Sequence, residues 1–217
     1  RSLVYQMIRD KKLVKVKTHK NYRFKITQRG INHIEKKFPQ LKFQEKHWDG
    51  KWRILIFDID EINRGTRDSL RIKLKYLGFG LLQKSVWISP YKVFPYLNKF
   101  IKENKLYKNV ILLETSKLSL NNIEIIKIIW PIEAIEIKYN QIFRKMLFIK
   151  QKSGDEENKK QLALNFNSIY KSLTYLVLQD PHLPHELLPT KWPYKKTINL
   201  AKRLRTKFLV EFDNDRG

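Results

Sequence analysis

Between Trp48 and Tyr91 the chain runs through a succession of patterns that few folds accept. Lys51 to Asp58 (KWRILIFD) is an apolar run rich in β-branched and aromatic residues, the pattern of a buried strand. Glu61 to Thr66 is a polar turn containing Gly65, with Thr66 as the expected N-cap and Asp68 in the first turn of the next element. Leu70, Leu74 and Leu77 recur at four and three residues, so they share one helical face. Gly78 and Gly80 end that helix, and Leu81 to Ser89 supplies a strand divisible at Ser85 into two. Val93, Tyr96, Leu97, Phe100 and Ile101 then mark an amphipathic helix, and Asn109 to Thr115 a last strand. The order βαββαβ predicts a ferredoxin-like domain over residues 47–118.

The flanks read differently. In residues 1–40, Leu3, Val4, Met7 and Ile8 predict the apolar face of a short helix, leaving Ser2, Tyr5, Gln6 and Arg9 on the other face. Two alternating strands follow, Leu13–Val16 and Tyr22–Ile26, joined by the basic turn Lys17 to Asn21. A second helix runs from a Thr27 cap to Phe38, with Ile31, Ile34 and Phe38 inward. Helix, basic hairpin, helix is the second half of a winged helix, whose earlier helices would precede Arg1. Residues 39–50 read as a linker. Residues 119–217 read as helical: a break at Trp130-Pro131, a stripe of Ile135, Tyr139, Ile142, Met146 and Ile149, a polar loop from Ser153 to Lys160, and a stripe of Leu162, Phe166, Ile169, Leu173, Leu176 and Val177. A proline-rich strap, DPHLPHELLPTKWP from Asp180 to Pro193, precedes a final helix holding Ile198, Ala201, Leu204 and Phe208. In the strap, Leu183, Leu187, Leu188 and Trp192 are expected against the preceding helices. The predicted class is α+β: partial winged helix, ferredoxin-like domain, helical C-terminal domain.

Charge narrows the function. Lysine and arginine total 45 against 21 acidic residues, a net charge of +24. Residues 1–50 carry 14 basic and 4 acidic side chains, residues 51–118 carry 14 and 6, and residues 119–217 carry 17 and 11. The excess is greatest where the helix and basic hairpin lie, and a polyanion is its natural partner, because each neutralised phosphate releases counterions. Arg1, Ser2, Tyr5, Gln6 and Arg9 suit base edges and phosphates in a major groove, and Lys15, Lys17, Lys20 and Arg23 suit the neighbouring backbone. A solvated basic face packed on the central domain is the plainer reading of the same residues. The absence of cysteine excludes disulfides, thiolate metal sites and cysteine nucleophiles, and fits a cytoplasmic protein. No apolar run reaches the ~20 residues of a membrane span.

Three stretches carry a family resemblance. WDGKWRILIFDI with RDSLRIKLKYLGFGLLQKSVWISPY resembles the central domain of the PaaX family of bacterial transcriptional repressors, itself similar to the ferredoxin-like nuclease subunit of CRISPR adaptation complexes. Tyr22-Arg23-Phe24-Lys25-Ile26-Thr27-Gln28-Arg29-Gly30 resembles the pattern that closes that family's N-terminal wing. DPHLPHELLPTKWP resembles its C-terminal signature, which the CRISPR subunits lack. The resemblance implies a dimeric, sequence-specific regulator of double-stranded DNA rather than an enzyme, responding to an acyl-CoA-type effector, with no bound cofactor.

Two other readings stay open. Asp58 and Asp60 end the first strand of the central domain, and paired carboxylates can hold a divalent ion such as Mg2+ against phosphates. Asp58 also matches an aspartate implicated in the nuclease activity of the CRISPR subunits, so a metal-dependent nuclease is the enzymatic alternative. The third is a structural DNA-binding protein without sequence preference. His182 and His185 lack a third ligand by spacing, and are expected as surface residues of the strap.

Overall fold

The computed structural model describes residues 3–17, 22–37, 47–154 and 157–214. No helix among them is long and apolar enough to cross a membrane. The chain divides into two compact units. One gathers residues 47–130 and 181–189 with most of the N-terminal segment; the other gathers residues 131–180 and the chain from Thr190, with the distal parts of the N-terminal hairpin.

The N-terminal segment forms α1 (Leu3–Arg9), β1 (Leu13–Lys17), β2 (Tyr22–Ile26) and α2 (Gln28–Lys37), with the two strands paired in a small sheet. The apolar faces read from the sequence exist but are not buried. Leu3 is 70% exposed, and Val4, Val14, Val16, Phe24, Ile31 and Ile34 are exposed as well. Two strands and two short helices enclose too little volume to cover them. Phe38, expected inward, lies outside the described residues.

The central sheet is β3 (Trp52–Phe57), β4 (Gly80–Gln83), β5 (Val86–Ser89) and β6 (Val110–Thr115) in the order β4-β5-β3-β6, antiparallel throughout. With helices α3 (Arg64–Tyr76) and α4 (Phe94–Glu103) between the strands, this is the ferredoxin-like βαββαβ arrangement. Period-two alternation places Leu55 and Phe57 on the helix-covered face, opposite Trp87 and Leu112 in the neighbouring strands. They join Leu70, Leu74, Leu77, Leu97 and Ile101 in one core. Each fully buried leucine contributes about 1.5–3 kcal/mol through removal from water.

One local expectation fails. The helix α3 begins at Arg64, not after Thr66, because a 3-10 turn over Glu61–Asn63 leads straight into it, and Asn63 at its N-cap makes no side-chain capping bond. The last helix of this unit, α5 (Asn122–Ile129), starts three residues later than Ser119. A reciprocal capping box fixes that start: Asn121 accepts from the Glu124 amide and Glu124 from the Asn121 amide. Close packing shows at Gly80, where a Cβ would lie 2.1 Å from a methyl of Ile129.

In the helical unit, α6 (Ile132–Lys152), α7 (Lys159–Gln179) and α8 (Tyr194–Asn214) pack together, α6 against both others. The whole stripe Ile135, Tyr139, Ile142, Met146 and Ile149 is buried, as its spacing requires. Leu162, Phe166, Leu173, Leu176, Ala201, Leu204 and Phe208 complete the core.

Candidate nucleic-acid interface and the strap

The wing-like segment is held by one residue, Thr27. Its Oγ1 accepts from the Gly30 amide at 3.1 Å, capping α2 as the sequence suggests, and donates to the Lys11 carbonyl at 2.6 Å. The Thr27 amide donates to the Lys12 carbonyl at 3.0 Å. This explains the Thr-x-x-Gly spacing. A Cβ on Gly30 would lie 2.3 Å from the Lys12 carbonyl oxygen, so only glycine lets α2 approach the turn after α1.

Around that joint the basic side chains stay in solvent. Tyr5, Gln6, Arg9, Lys15 and Lys17 are all exposed, on α1 and the β1 strand. Lys15 Nζ sits 3.7 Å from the centroid of the Tyr22 ring, which holds the ammonium at the strand surface. Arg1, Ser2 and Lys20 lie outside the described residues. Arg23 belongs to β2, and its side chain is also outside them. Lys25 and Arg29 are exposed cations, and Gln28 an exposed amide, that were not among the expected contact residues.

Arg53 is the opposite case. It is 2% exposed in the central strand, and each guanidinium nitrogen is used. Nε donates to Glu114 at 3.0 Å, Nη1 to Asp49, to the Lys51 carbonyl and to the Pro90 carbonyl, and Nη2 to Asp49. The hydrogen bond from Arg53 holds the Asp49 carboxyl well below the usual carboxylate range, against an opposing effect of burial. Trp48, Trp52 and Trp130 lie alongside, Trp52 stacked 6.4 Å from Trp130 and donating through Nε1 to Asn122 at 3.0 Å. The stretch expected as a linker is therefore structured from His47 onward; residues 38–46 lie outside the described set.

Asp58 and Asp60 are exposed. The Asp58 backbone is tied to Asn109, whose amide group donates to the Asp58 carbonyl and whose own carbonyl accepts from the Asp58 amide. Neither carboxylate belongs to the one cluster of three or more metal-capable side chains among the described residues.

The DPHLPHELLPTKWP stretch divides its contacts. In the helical unit, Asp180 accepts a 2.8 Å hydrogen bond from the buried Tyr139 hydroxyl, and Trp192 and Tyr194 meet the Tyr139 ring edge-on at 6.0 and 5.8 Å. Burial, with the Asp180 charge adding to it, pushes the Tyr139 hydroxyl pKa far up, so it stays a proton donor. In the sheet unit, Leu183 and Leu187 are buried, and the Tyr91 hydroxyl donates to the His182 carbonyl. The strap was expected against the helices before it: the turn holding Leu187 meets α5, and Trp192 packs on the three-helix core. His182, expected at the surface, is 8% exposed and adopts φ +53°.

The chain thus holds a ferredoxin-like sheet unit and a three-helix unit, and the proline-rich strap contributes residues 181–189 to the first and its two ends to the second. The comparisons give it a family. "PaaX protein central Cas2-like domain" matches residues 45–124, and "PaaX-like protein C-terminal domain" matches residues 130–211. This chain belongs to the PaaX family. It is 27% identical over 159 residues to the transcriptional repressor PaaX of Escherichia coli strain K12, covering 69% of this chain. The chain spans about half the length of that relative, 49%. Among solved structures, an uncharacterized protein of Mycobacterium tuberculosis shares the fold, with a TM-score of 0.63 at 18% identity, covering 99% of this chain and 82% of its own.

Proposed function

We propose that this chain is a PaaX-type transcriptional regulator that binds double-stranded DNA as a homodimer in the cytoplasm and represses by occupying a promoter. The observation that carries the reading is the match of both PaaX domains in a chain similar to a transcriptional repressor. The exposed basic face of the N-terminal segment supports it. The segment acts as the wing-bearing half of a winged helix, with Tyr5, Gln6 and Arg9 toward base edges. Arg1 and Ser2 act with those three at base edges and phosphates of the major groove, and Lys15, Lys17, Lys20 and Arg23 contact the neighbouring backbone. A dimer of such readers expects half-sites about one helical turn apart, or a multiple of it. The effector is an acyl-CoA-type thioester, carried over from the family resemblance alone.

The test is a titration of the purified protein against genomic DNA fragments at fixed salt, with and without magnesium. The expected result is a shift of discrete fragments that survive intact, each with a footprint of paired half-sites. Equal affinity for all fragments would favour a DNA-packaging role instead. Cleavage that requires magnesium and disappears in Asp58→Ala would overturn the regulator reading in favour of a nuclease.

A further inference from the structure

The sequence offers His182 and His185 as neighbours, but the fold separates them and gives His185 other company. His182 turns inward, whereas His185 opens a 3-10 turn, His185–Leu187, whose Leu187 is buried and anchors it. Across from that turn stands His47, 138 residues earlier, just ahead of β3. Glu186 lies between the two imidazoles. Its Oε1 meets His47 Nδ1 at 2.8 Å and its Oε2 meets His185 Nδ1 at 3.0 Å. The rings are 5.6 Å apart and tilted by 59°. One ligand atom from each residue falls within 4.8 Å of the other two.

The geometry points to a binding site for a divalent transition-metal ion of the Zn2+ class, held by His47, His185 and Glu186. The donor set selects the class: two imidazole nitrogens with one carboxylate suit zinc and its first-row neighbours, whereas magnesium and calcium take oxygen ligands. The spacing suits it too. A tetrahedral ion with ligands about 2.1 Å away holds them about 3.4 Å apart, so the two imidazole–carboxylate pairs open by about half an ångström and the two rings close together. An outer contact is in place, the Trp48 amide donating to Glu186 Oε1 at 3.1 Å, which orients the carboxylate as supporting groups around metal ligands do. Three protein ligands leave a fourth position for water or for a partner's side chain.

Such an ion ties the chain just before β3 to the strap, closing a long loop within the sheet unit, so metal binding stabilises that unit. Both histidines are well exposed, at 90% and 70%, which leaves the ion an open path and makes their replacement harmless to the fold.

The test is calorimetric titration of untagged, chelator-stripped full chain with ZnCl2, alongside visible absorption of the Co2+ form. One ion per chain is expected, with a melting temperature that rises on binding and the absorption of four-coordinate cobalt. His47→Ala and His185→Ala each lower the affinity at least tenfold, while His33→Ala, on α2, leaves it unchanged. Circular dichroism verifies that each variant is folded. No saturable zinc binding, or binding of equal strength in all three variants, overturns the site.

Discussion

The N-terminal segment and the central sheet unit use the same ingredients to opposite ends. Both place apolar residues on strands and helices at correct spacing, and both are rich in arginine and lysine. In the sheet unit the residues between sheet and helices are sealed, Leu55, Leu70 and Leu74 to 0% exposure, and even Arg53 is enclosed with two carboxylates, although Ile111 and Leu113 on the other face of β6 stay exposed. In the N-terminal segment Val16, Phe24 and Ile34 remain open, and Arg9, Lys15 and Lys17 face water. Periodicity marks which side of an element is apolar; how many elements pack on that side decides whether it is buried. The enclosed arginine contributes to stability, and the open cations are the ones the proposed function sets against phosphate.

The largest difference between the two regions is expected in the core. Leu55→Ala should cost about 2–5 kcal/mol in denaturant unfolding, from lost burial and a residual cavity, while Val16→Ala should cost under about 0.5. Equal costs would mean that the hairpin is as tightly packed as the sheet. Arg53→Ala should cost about 3 kcal/mol, the low end for breaking a buried ion pair, because Asp49 and Glu114 retain partial access to solvent. Thr27→Ala should cost about 1 kcal/mol through the lost helix cap. It should weaken DNA binding beyond what that loss of stability explains, since the cap also fixes the turn after α1.

Acid should act on the sheet unit through Asp49. Its carboxyl is depressed in the folded state, so its contribution is fully present above the unfolded value of about 4 and is lost as pH falls below that toward the folded value. Acid unfolding followed by tryptophan fluorescence should therefore begin at higher pH in Lys92→Ala, which removes one of the cations beside that carboxylate. An unchanged acid midpoint would assign the acid sensitivity to other groups.

Much of the fold was legible because its signals are local. The strand around Leu55, the Leu70–Leu74–Leu77 face, the Ile135-to-Ile149 stripe and the Thr27 cap are each written within a few turns of chain. The start of α3 was not, because the 3-10 turn ahead of it replaces the hydroxyl cap that Thr66 seemed to offer. Long-range partnerships were also hidden. Asp49 and Lys51 lie close to Arg53 in sequence, but its burial was hidden because Glu114 on β6 and the Pro90 carbonyl just after β5 complete the enclosure from far along the chain. Nothing near His185 points to His47, and the two strap histidines differ in a way the sequence did not show, His182 buried and His185 exposed. The basic residues of the N-terminal segment were readable as residue types, while the exposure of Arg9, Lys15 and Lys17 is a property of the fold.

In the proposed function the N-terminal cations carry the contact with DNA. Its most direct test is the salt dependence of binding, measured by fluorescence anisotropy on a shifted fragment, for the protein and for an Arg9→Ala, Lys15→Ala, Lys17→Ala variant. The logarithm of affinity should fall linearly with that of salt, and the variant should lose about 0.9 from the slope for each phosphate contact removed, with its unfolding curve unchanged. A variant with the same slope and affinity as the parent would contradict the account and move the DNA contact elsewhere on the chain.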